Sequence, residues 1–379
     1  MVYRLLFKKE ILELKKKKIY VLSSFGHAGT DWLHSLLDGH KEILITPAFS
    51  YYRTYYRFLY LSKINIFQIK DYNYLAKIIA DLFYFNPGYR VKRRRILFNL
   101  EEKKNFEKYF KIYIENDNDI LEKKIFYAIH FAFLKIKKFE IKKIKNIVIH
   151  EHVAWHCSRY LKIFKSKFVL IFRDPKAVLG GAFLRMKNSN KTKILQPYQF
   201  DMIILHMKLA FDFVISKKNQ KHCYILQNEK MHLNLSQEMK SLAKWMRIKF
   251  SKTLLSQTFL NVKWLGESSY LAKDELKKEP PKDFYDPSNV EKRWRNVLTK
   301  NDILMADVFF RKQINMMGYK LDNKLNFLKL LNGYLIFLFK YLIQENSSNK
   351  KYLIFFRNLV KRLFILINAK ISLVLFKYF

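Results

Sequence analysis

The sequence predicts an α/β fold: a central parallel sheet flanked by helices, opening with a strand, a glycine loop and a helix. Three observations predict it. Continuous β-branched and aromatic runs recur at 19–24, 147–149, 168–172 and 223–226, the pattern of strands buried on both faces. Segments of helical spacing separate them, which is the order that builds a parallel sheet. Each run ends in polar punctuation: Phe25-Gly26-His27-Ala28-Gly29-Thr30-Asp31, then His150-Glu151-His152, Arg173-Asp174-Pro175 and Asn228-Glu229-Lys230. In open parallel sheets, functional groups collect beyond the carboxyl ends of strands.

The elements follow in order. Lys15 to Lys18 lead into the first strand, and the helical pattern starting at Trp32 closes at Asp38-Gly39, where glycine suits a left-handed cap. Residues 42–46, before Pro47, read as a short extended piece. Residues 50 to about 145 are aromatic, basic and poor in breakers apart from Asn86-Pro87-Gly88, and read as a mostly helical insertion. Within it, Tyr51-Tyr52-Arg53-Thr54-Tyr55-Tyr56-Arg57 is either an aromatic acceptor surface or a helix packing its aromatic side. One α/β domain over 1–320 and a basic, apolar helical tail over 321–379 complete the reading.

The first loop carries chemistry. A glycine loop entering a helix aims backbone N–H groups and the positive end of the helix dipole at one point, where an anion binds. A nucleoside-triphosphate loop would end in Gly-Lys-Ser/Thr, but Ala28-Gly29-Thr30-Asp31 has no lysine. The dinucleotide fingerprint fails as well, for lack of a third glycine in register. Of nine glycines in the chain, five are Gly26, Gly29, Gly39, Gly180 and Gly181; most lie beside the first loop or the Arg173 turn, where close backbone approach would need them.

Composition limits the setting. The chain has 379 residues, half of them hydrophobic, enough for one large core or two modest ones. The net charge of +40 concentrates anionic partners at the surface. Cys157 and Cys223 offer neither a disulfide framework nor metal spacing. The first eighteen residues lack a secretory pattern, so cytoplasmic residence is expected. The run Arg90 to Arg95 comes without any nucleic-acid-binding motif, and no nucleic acid is expected as partner.

Taken together, these segments resemble the sulfotransferases that use 3′-phosphoadenosine-5′-phosphosulfate (PAPS). SSFGHAGTDWLHSLLDGHKEILITP is similar to that family's 5′-phosphosulfate loop and helix, and FVLIFRDPKAVLGG to its 3′-phosphate strand and turn. IVIHEH falls where the family keeps its catalytic strand end. YILQNEKM, LAKWMRIKFSKTLLSQTFLNVKWLGESS and EKRWRNVLTKNDI resemble the later elements, in order, up to about residue 320.

The resemblance implies PAPS as sulfuryl donor and no metal. It places Gly26, His27, Ala28, Gly29, Thr30 and Asp31 around the 5′-phosphate, and Arg173 and Gly181 at the 3′-phosphate. Here His27 stands where lysine or arginine is usual, Asp31 where Ser or Thr is common, and Gly181 where a serine is common. His150 replaces a lysine expected to bridge toward the cofactor. His152 matches the general base, and Glu151 is the alternative base. His156 is expected to be structural, as are Trp294 and Arg295, and His34 and His40 on the first helix are expected to be satisfied surface or boundary residues. The late turn Trp264-Leu265-Gly266-Glu267-Ser268-Ser269 would shape the acceptor cleft or support the cofactor.

The acceptor implied is a glycan, a lipid-linked glycan or another hydroxylated molecule. The tail runs, 327–343 and 352–379, are apolar but broken by Lys329, Lys340, Arg357, Lys361, Arg362, Lys370 and Lys377, too short between charges to span a bilayer. They either lie on an anionic membrane face, placing the protein peripherally on the inner side, or pack on the domain. The alternative to an enzyme is a catalytically altered relative that binds anionic glycan or lipid.

Overall fold

The computed structural model describes residues 2–25, 28–46, 50–85, 90–91, 94–95, 98–189, 195–218, 220–260, 262–264, 287–340 and 351–369. In chain order these form α1 (Val2–Lys15), β1 (Lys18–Ser23), α2 (Thr30–Leu37), β2 (Ile43–Ile45), α3 (Tyr51–Ser62), α4 (Tyr72–Phe85), β3 (Arg90–Val91), β4 (Arg94–Arg95), α5 (Leu100–Asn116) and α6 (Leu121–Ile136). Then come β5 (Asn146–Glu151), α7 (Cys157–Phe164), β6 (Lys167–Phe172), α8 (Pro175–Ser189), α9 (Pro197–Lys217), β7 (Cys223–Gln227), α10 (Asn228–Leu233) and α11 (Leu235–Met246). The chain closes with β8 (Thr258–Phe259), β9 (Val262–Lys263), α12 (Pro287–Lys292), α13 (Lys300–Phe309), α14 (Arg311–Met316), α15 (Phe327–Phe339) and α16 (Lys351–Ile367).

Five strands make the central sheet in the order β2-β5-β1-β6-β7, every pairing parallel. The four long runs read from the sequence are β1, β5, β6 and β7, and the short piece before Pro47 is β2. Ile147, Val148, Ile149, Val169, Leu170 and Ile171 are fully buried. Each such side chain contributes about 1.5–3 kcal/mol through removal from water, which anchors the sheet in the core.

Between β2 and β5 the described chain is helical apart from the small β3–β4 hairpin. Asn99 begins α5 with a capping box, its side chain accepting from Glu102 N–H while Glu102 accepts from Asn99 N–H. Phe106, Phe110 and Tyr113 on α5 and Phe131 on α6 are buried, with the Tyr113 and Phe131 rings 5.6 Å apart. On α3, Tyr51, Tyr52 and Tyr55 turn inward, and the Tyr51 hydroxyl donates to the Glu122 carbonyl at 2.6 Å. These three tyrosines therefore pack the helix rather than offer an aromatic surface. Asn86-Pro87-Gly88 lies outside the described residues.

The tail is held to the body by charge. Arg362 and Asp201 are both buried and meet at 2.6 Å; Lys340 reaches Asp302 at 2.5 Å, and Lys361 lies 3.5 Å from Asp201. A Cβ on Gly333 would come within 2.6 Å of Val308, so glycine lets α15 seat closely on α13. The packing reading of the tail holds for these inner faces. Outward, Phe327, Leu328, Leu331 and Phe339 on α15, and Phe356, Leu363 and Ile367 on α16, are exposed. Among the described residues, no helix is long and apolar enough to cross a membrane.

Candidate functional site

The site grows from the carboxyl ends of three adjacent strands. In register, Ser23 of β1 pairs with Glu151 of β5 on one side and Leu170 of β6 on the other. The loop after β1, the residues after β5 and the turn after β6 therefore leave the sheet along one edge. Ser23 donates its hydroxyl to the Glu151 carbonyl at 2.6 Å, and Ser24 donates to the Ile171 carbonyl. These two short side chains tie the three strand ends together.

After β1 the backbone turns tightly, with the Ala28 N–H donating to the Phe25 carbonyl at 3.3 Å. That donor is committed within the loop and differs from the expectation that it faces an anion. Gly29 caps α2 at φ +97°, the left-handed region. A Cβ there would sit 2.2 Å from Asn228 Nδ2, so the loop needs glycine for its conformation and for the approach of α10. Thr30 is buried at the first position of α2 and Asp31 stands in its first turn. The expected anion ligands Gly26 and His27 lie outside the described residues.

At the β5 end, alternation along an extended chain puts His150 and His152 on one side. Their ring centroids are 4.2 Å apart. His150 Nδ1 lies 3.4 Å from Asp31 Oδ1, and the ligating atoms of Asp31, His150 and His152 all fall within 4.8 Å of one another. Burial, then the neighbouring His150, pushes the His152 pKa down to about 3, with Asp31 and Glu151 opposing. Burial also holds His150 well below the usual imidazole range. Burial thus favours the neutral form of both rings, the form that proton acceptance or metal ligation requires.

Glu151 points the other way. Its side chain is fully buried and accepts from the N–H groups of Tyr52 at 3.2 Å, Arg53 at 3.4 Å and Val153 at 3.3 Å, and from the Tyr160 hydroxyl at 3.2 Å. His156 Nδ1 approaches it at 3.6 Å. This carboxylate organises the joint between β5 and α3.

The turn after β6 is braced from behind. Asp174 N–H donates to Glu229 Oε1 at 3.0 Å, and Glu229 Oε2 accepts from the Tyr319 hydroxyl at 2.5 Å. Lys176 is buried and donates to the Lys320 carbonyl at 2.7 Å and to Asp322 at 2.5 Å. Its ammonium also lies 5.3 Å from the Trp294 ring, which gives Trp294 the packing role expected of it. Arg173 leads this turn. Its charge, together with that of Arg293, adds to burial in pushing the His232 pKa down to about 3. His232 in turn stacks on Trp32, centroids 4.1 Å apart and 12° from parallel.

Gly181 requires a correction. It is the seventh residue of α8, past the first turn, so its N–H belongs to the helix's own ladder and is not offered to a phosphate. Gly180 and Gly181 serve the helix interior rather than a loop. His34 and His40 differ too: both are buried, not boundary residues, and burial pushes His34 down to about 3. Trp264 is buried, and residues 265–269 lie outside the described set.

Linear reading missed that Asn228 meets Gly29, that Trp32 stacks on His232, and that the charge of Arg293 bears on His232. Asn228 opens the Asn228-Glu229-Lys230 segment after β7, so its place at a strand end was the available signal. It also missed that Asp31 joins the two histidines. Two imidazoles and one carboxylate form a donor set that could hold a divalent cation.

No protein-family model matches the chain. In sequence it is 26% identical over 187 residues to an uncharacterized protein, R865, of Acanthamoeba polyphaga mimivirus. The match takes in 42% of this chain and 29% of the viral protein, so it spans under a third of that relative's length. In structure the chain is similar to the sulfotransferase domain from the curacin biosynthetic pathway, at 12% identity and a TM-score of 0.44, covering 80% of this chain and 98% of that one. It is also similar to sulfotransferase STF9 from Mycobacterium avium (11%, TM-score 0.43, 83% and 81% covered). Mouse sulfotransferase SULT7A1, solved with PAP, follows at 12%, TM-score 0.40, with 86% and 92% covered.

Proposed function

We propose that this cleft transfers a sulfuryl group from PAPS to a hydroxyl of an acceptor, with His152 taking the acceptor's proton. The observation that carries the reading is the shared edge: a glycine-initiated helix, an imidazole pair and an arginine leave three neighbouring parallel strands side by side. The cofactor's two anionic ends need two separated grips. The left-handed Gly29, where a Cβ would strike Asn228, opens α2, and that helix N-terminus is the grip for one. Arg173, whose charge with that of Arg293 bears on His232, is the guanidinium for the other.

When bound, PAPS supplies the activated sulfuryl group and a phosphate leaving group. The Thr30 hydroxyl and the N–H groups at the start of α2 hold the 5′-phosphate end and stabilise charge building there. Arg173 fixes the 3′-phosphate, setting the register of the whole nucleotide. His152 accepts the acceptor proton as the oxygen attacks sulfur. A neighbouring anion strengthens its basicity, because negative charge favours the imidazolium. His150 supports the His152 ring by direct packing.

The acceptor class proposed is a glycan or lipid-linked glycan. Exposed apolar residues on α15 and α16, set in a chain of net charge +40, favour residence on an anionic inner membrane face. A second reading, a relative that binds anionic glycan or lipid without turnover, is favoured by Asp31, whose carboxylate adds like charge beside the 5′-phosphate grip.

Calorimetry with 3′-phosphoadenosine-5′-phosphate on the full chain and on Arg173→Ala tests the proposal. The expected result is binding by the first and a loss of roughly 10- to 100-fold in the second, the worth of a charge-assisted hydrogen bond. Equal, negligible heats from both would remove the enzyme reading. Binding without transfer to any hydroxylated acceptor would select the second reading.

A further inference from the structure

We propose that Asp31, His150 and His152 bind one divalent transition-metal ion of zinc-like chemistry at the mouth of the cleft. The binding stands on the geometry of the trio. Its consequence for turnover rests on the transferase reading.

Three residues from two elements 119 positions apart point their donor atoms at one volume. His150 Nδ1 and Asp31 Oδ1 are 3.4 Å apart, and all three donors lie within 4.8 Å of each other. Ligands on a tetrahedral zinc are roughly 3.3 Å apart, given bonds of about 2.0–2.1 Å. The His150–Asp31 pair already has that spacing. Two imidazoles and one carboxylate are the nitrogen and oxygen donors that catalytic zinc sites use while leaving a position open. The His150 side chain is 1% exposed while that of Asp31 is 42% exposed, so the ion has a fixed inner ligand and an entry path. Arg53, exposed, is an opposing charge that bears on both rings.

An imidazole nitrogen lone pair serves one partner at a time. A bound ion therefore occupies the group that would accept the acceptor's proton, and metal binding suppresses transfer. The step is ligand exchange alone: no bond to substrate forms or breaks, and displacing the ion restores the free imidazole.

The test is titration of chelator-treated full-length protein with zinc chloride, followed by calorimetry, and with cobalt chloride, followed by its visible absorption bands. One equivalent is expected, with the band intensity of a four-coordinate nitrogen and oxygen site. Asp31→Asn and His152→Ala should each lose at least about tenfold in affinity. His150 is buried, so His150→Ala would risk the fold; half-exposed Asp31→Asn keeps the proposal falsifiable. Absence of stoichiometric uptake, or uptake unchanged in Asp31→Asn, overturns it. Binding of 3′-phosphoadenosine-5′-phosphate is measured on the same metal-free samples. Nucleotide binding without zinc uptake sinks the metal site alone, whereas zinc uptake without nucleotide binding sinks the transferase reading and leaves the site standing.

Discussion

Arg362 and Asp201 meet at 2.6 Å across 161 positions of sequence, and neither side chain touches solvent. The guanidinium also donates to the carbonyls of Phe337 at 3.1 Å, Leu338 at 3.0 Å and Lys340 at 2.6 Å, which close the last turn of α15. One side chain thus joins α16, α15 and α9. Removing one member of a buried pair leaves the other charged and alone, at a cost of about 3–5 kcal/mol. Asp201→Ala should lower the urea midpoint by a corresponding amount. Replacing both residues by leucine and methionine should cost less than either single change. A midpoint within about 0.5 kcal/mol of the parent for Asp201→Ala, the range of neutral surface changes, would show that the tail unfolds independently of the domain.

That pair marks the boundary of what the chain discloses in linear form. The sheet was legible because strands buried on both faces tolerate only apolar and β-branched residues, and such runs as IVI and FVLIF stand out from a lysine-rich background. His150 and His152 were legible as a pair because alternation alone puts them together. Asp31 was not, since nothing in an acidic residue on the first turn of a helix indicates what the helix N-terminus faces. The inward turn of Lys340, Lys361 and Arg362 was also hidden: basic residues in an apolar helix read as surface until their carboxylates are known. Glu151 stood beside His152 in sequence, yet successive strand residues face opposite sides, and only the packing of Tyr52 and Tyr160 shows which side is the interior.

The loop should be intolerant of substitution at Gly29. Alanine there meets two independent penalties: φ +97° costs an L-residue about 1–2 kcal/mol, and its Cβ collides with Asn228. Gly29→Ala is expected to lower stability by about 2–3 kcal/mol and to weaken nucleotide binding, measured by thermal melting and calorimetry. Adding Asn228→Ala should recover only the part due to collision. Full recovery would show that the backbone conformation is unstrained.

His152 and Glu151 separate by which quantity they move. His152→Ala should abolish turnover while nucleotide affinity stays near that of the parent, because the role proposed for the imidazole is to take the acceptor's proton and not to hold the nucleotide. Glu151→Gln should instead reduce stability by about 1–3 kcal/mol, since the amide can no longer accept from every donor now converging on the carboxylate. Turnover that survives His152→Ala, together with a stable but inactive Glu151→Gln, would exchange the two roles.

Acid should destabilise the fold from an unusually high pH. Burial pushes His34, His152 and His232 down to about 3, His130 and His206 to about 4, and His150 well below its ordinary value. An unfolded histidine titrates near 6.5. Above that pH both states are neutral and stability is complete; below it, the unfolded chain takes up protons that the native chain refuses. Each such histidine then removes about 1.4 kcal/mol per pH unit until its native pKa is reached. Asp174, raised to about 7 by burial, runs the other way across roughly pH 4 to 7 and offsets one of the six. Melting temperature should be level from pH 8 to 7 and fall steeply between 6 and 5. A level curve down to pH 5 would mean that these imidazoles are not held neutral.

The outer faces of the tail carry the membrane prediction. On α15, Phe327, Leu331, Leu335 and Phe339 are exposed at four-residue intervals, a single stripe; on α16, Phe356, Leu363 and Ile367 make a second. Exposed Lys324, Lys329 and Arg357 lie among them. Apolar stripes with basic neighbours bind an anionic bilayer by shallow insertion plus attraction of about 1 kcal/mol for each basic residue near the surface. The full chain should therefore sediment with vesicles containing phosphatidylglycerol, more weakly with phosphatidylcholine alone, and less at high salt. Phe327→Asp combined with Leu331→Asp should lose at least about tenfold in vesicle affinity, because charged side chains resist burial in the acyl region. Both positions face solvent, so the melting temperature should hold. Vesicle binding unchanged by that pair would place any membrane contact elsewhere. A fall in oligomer size in place of lost vesicle binding would assign the stripes to a second copy of the chain.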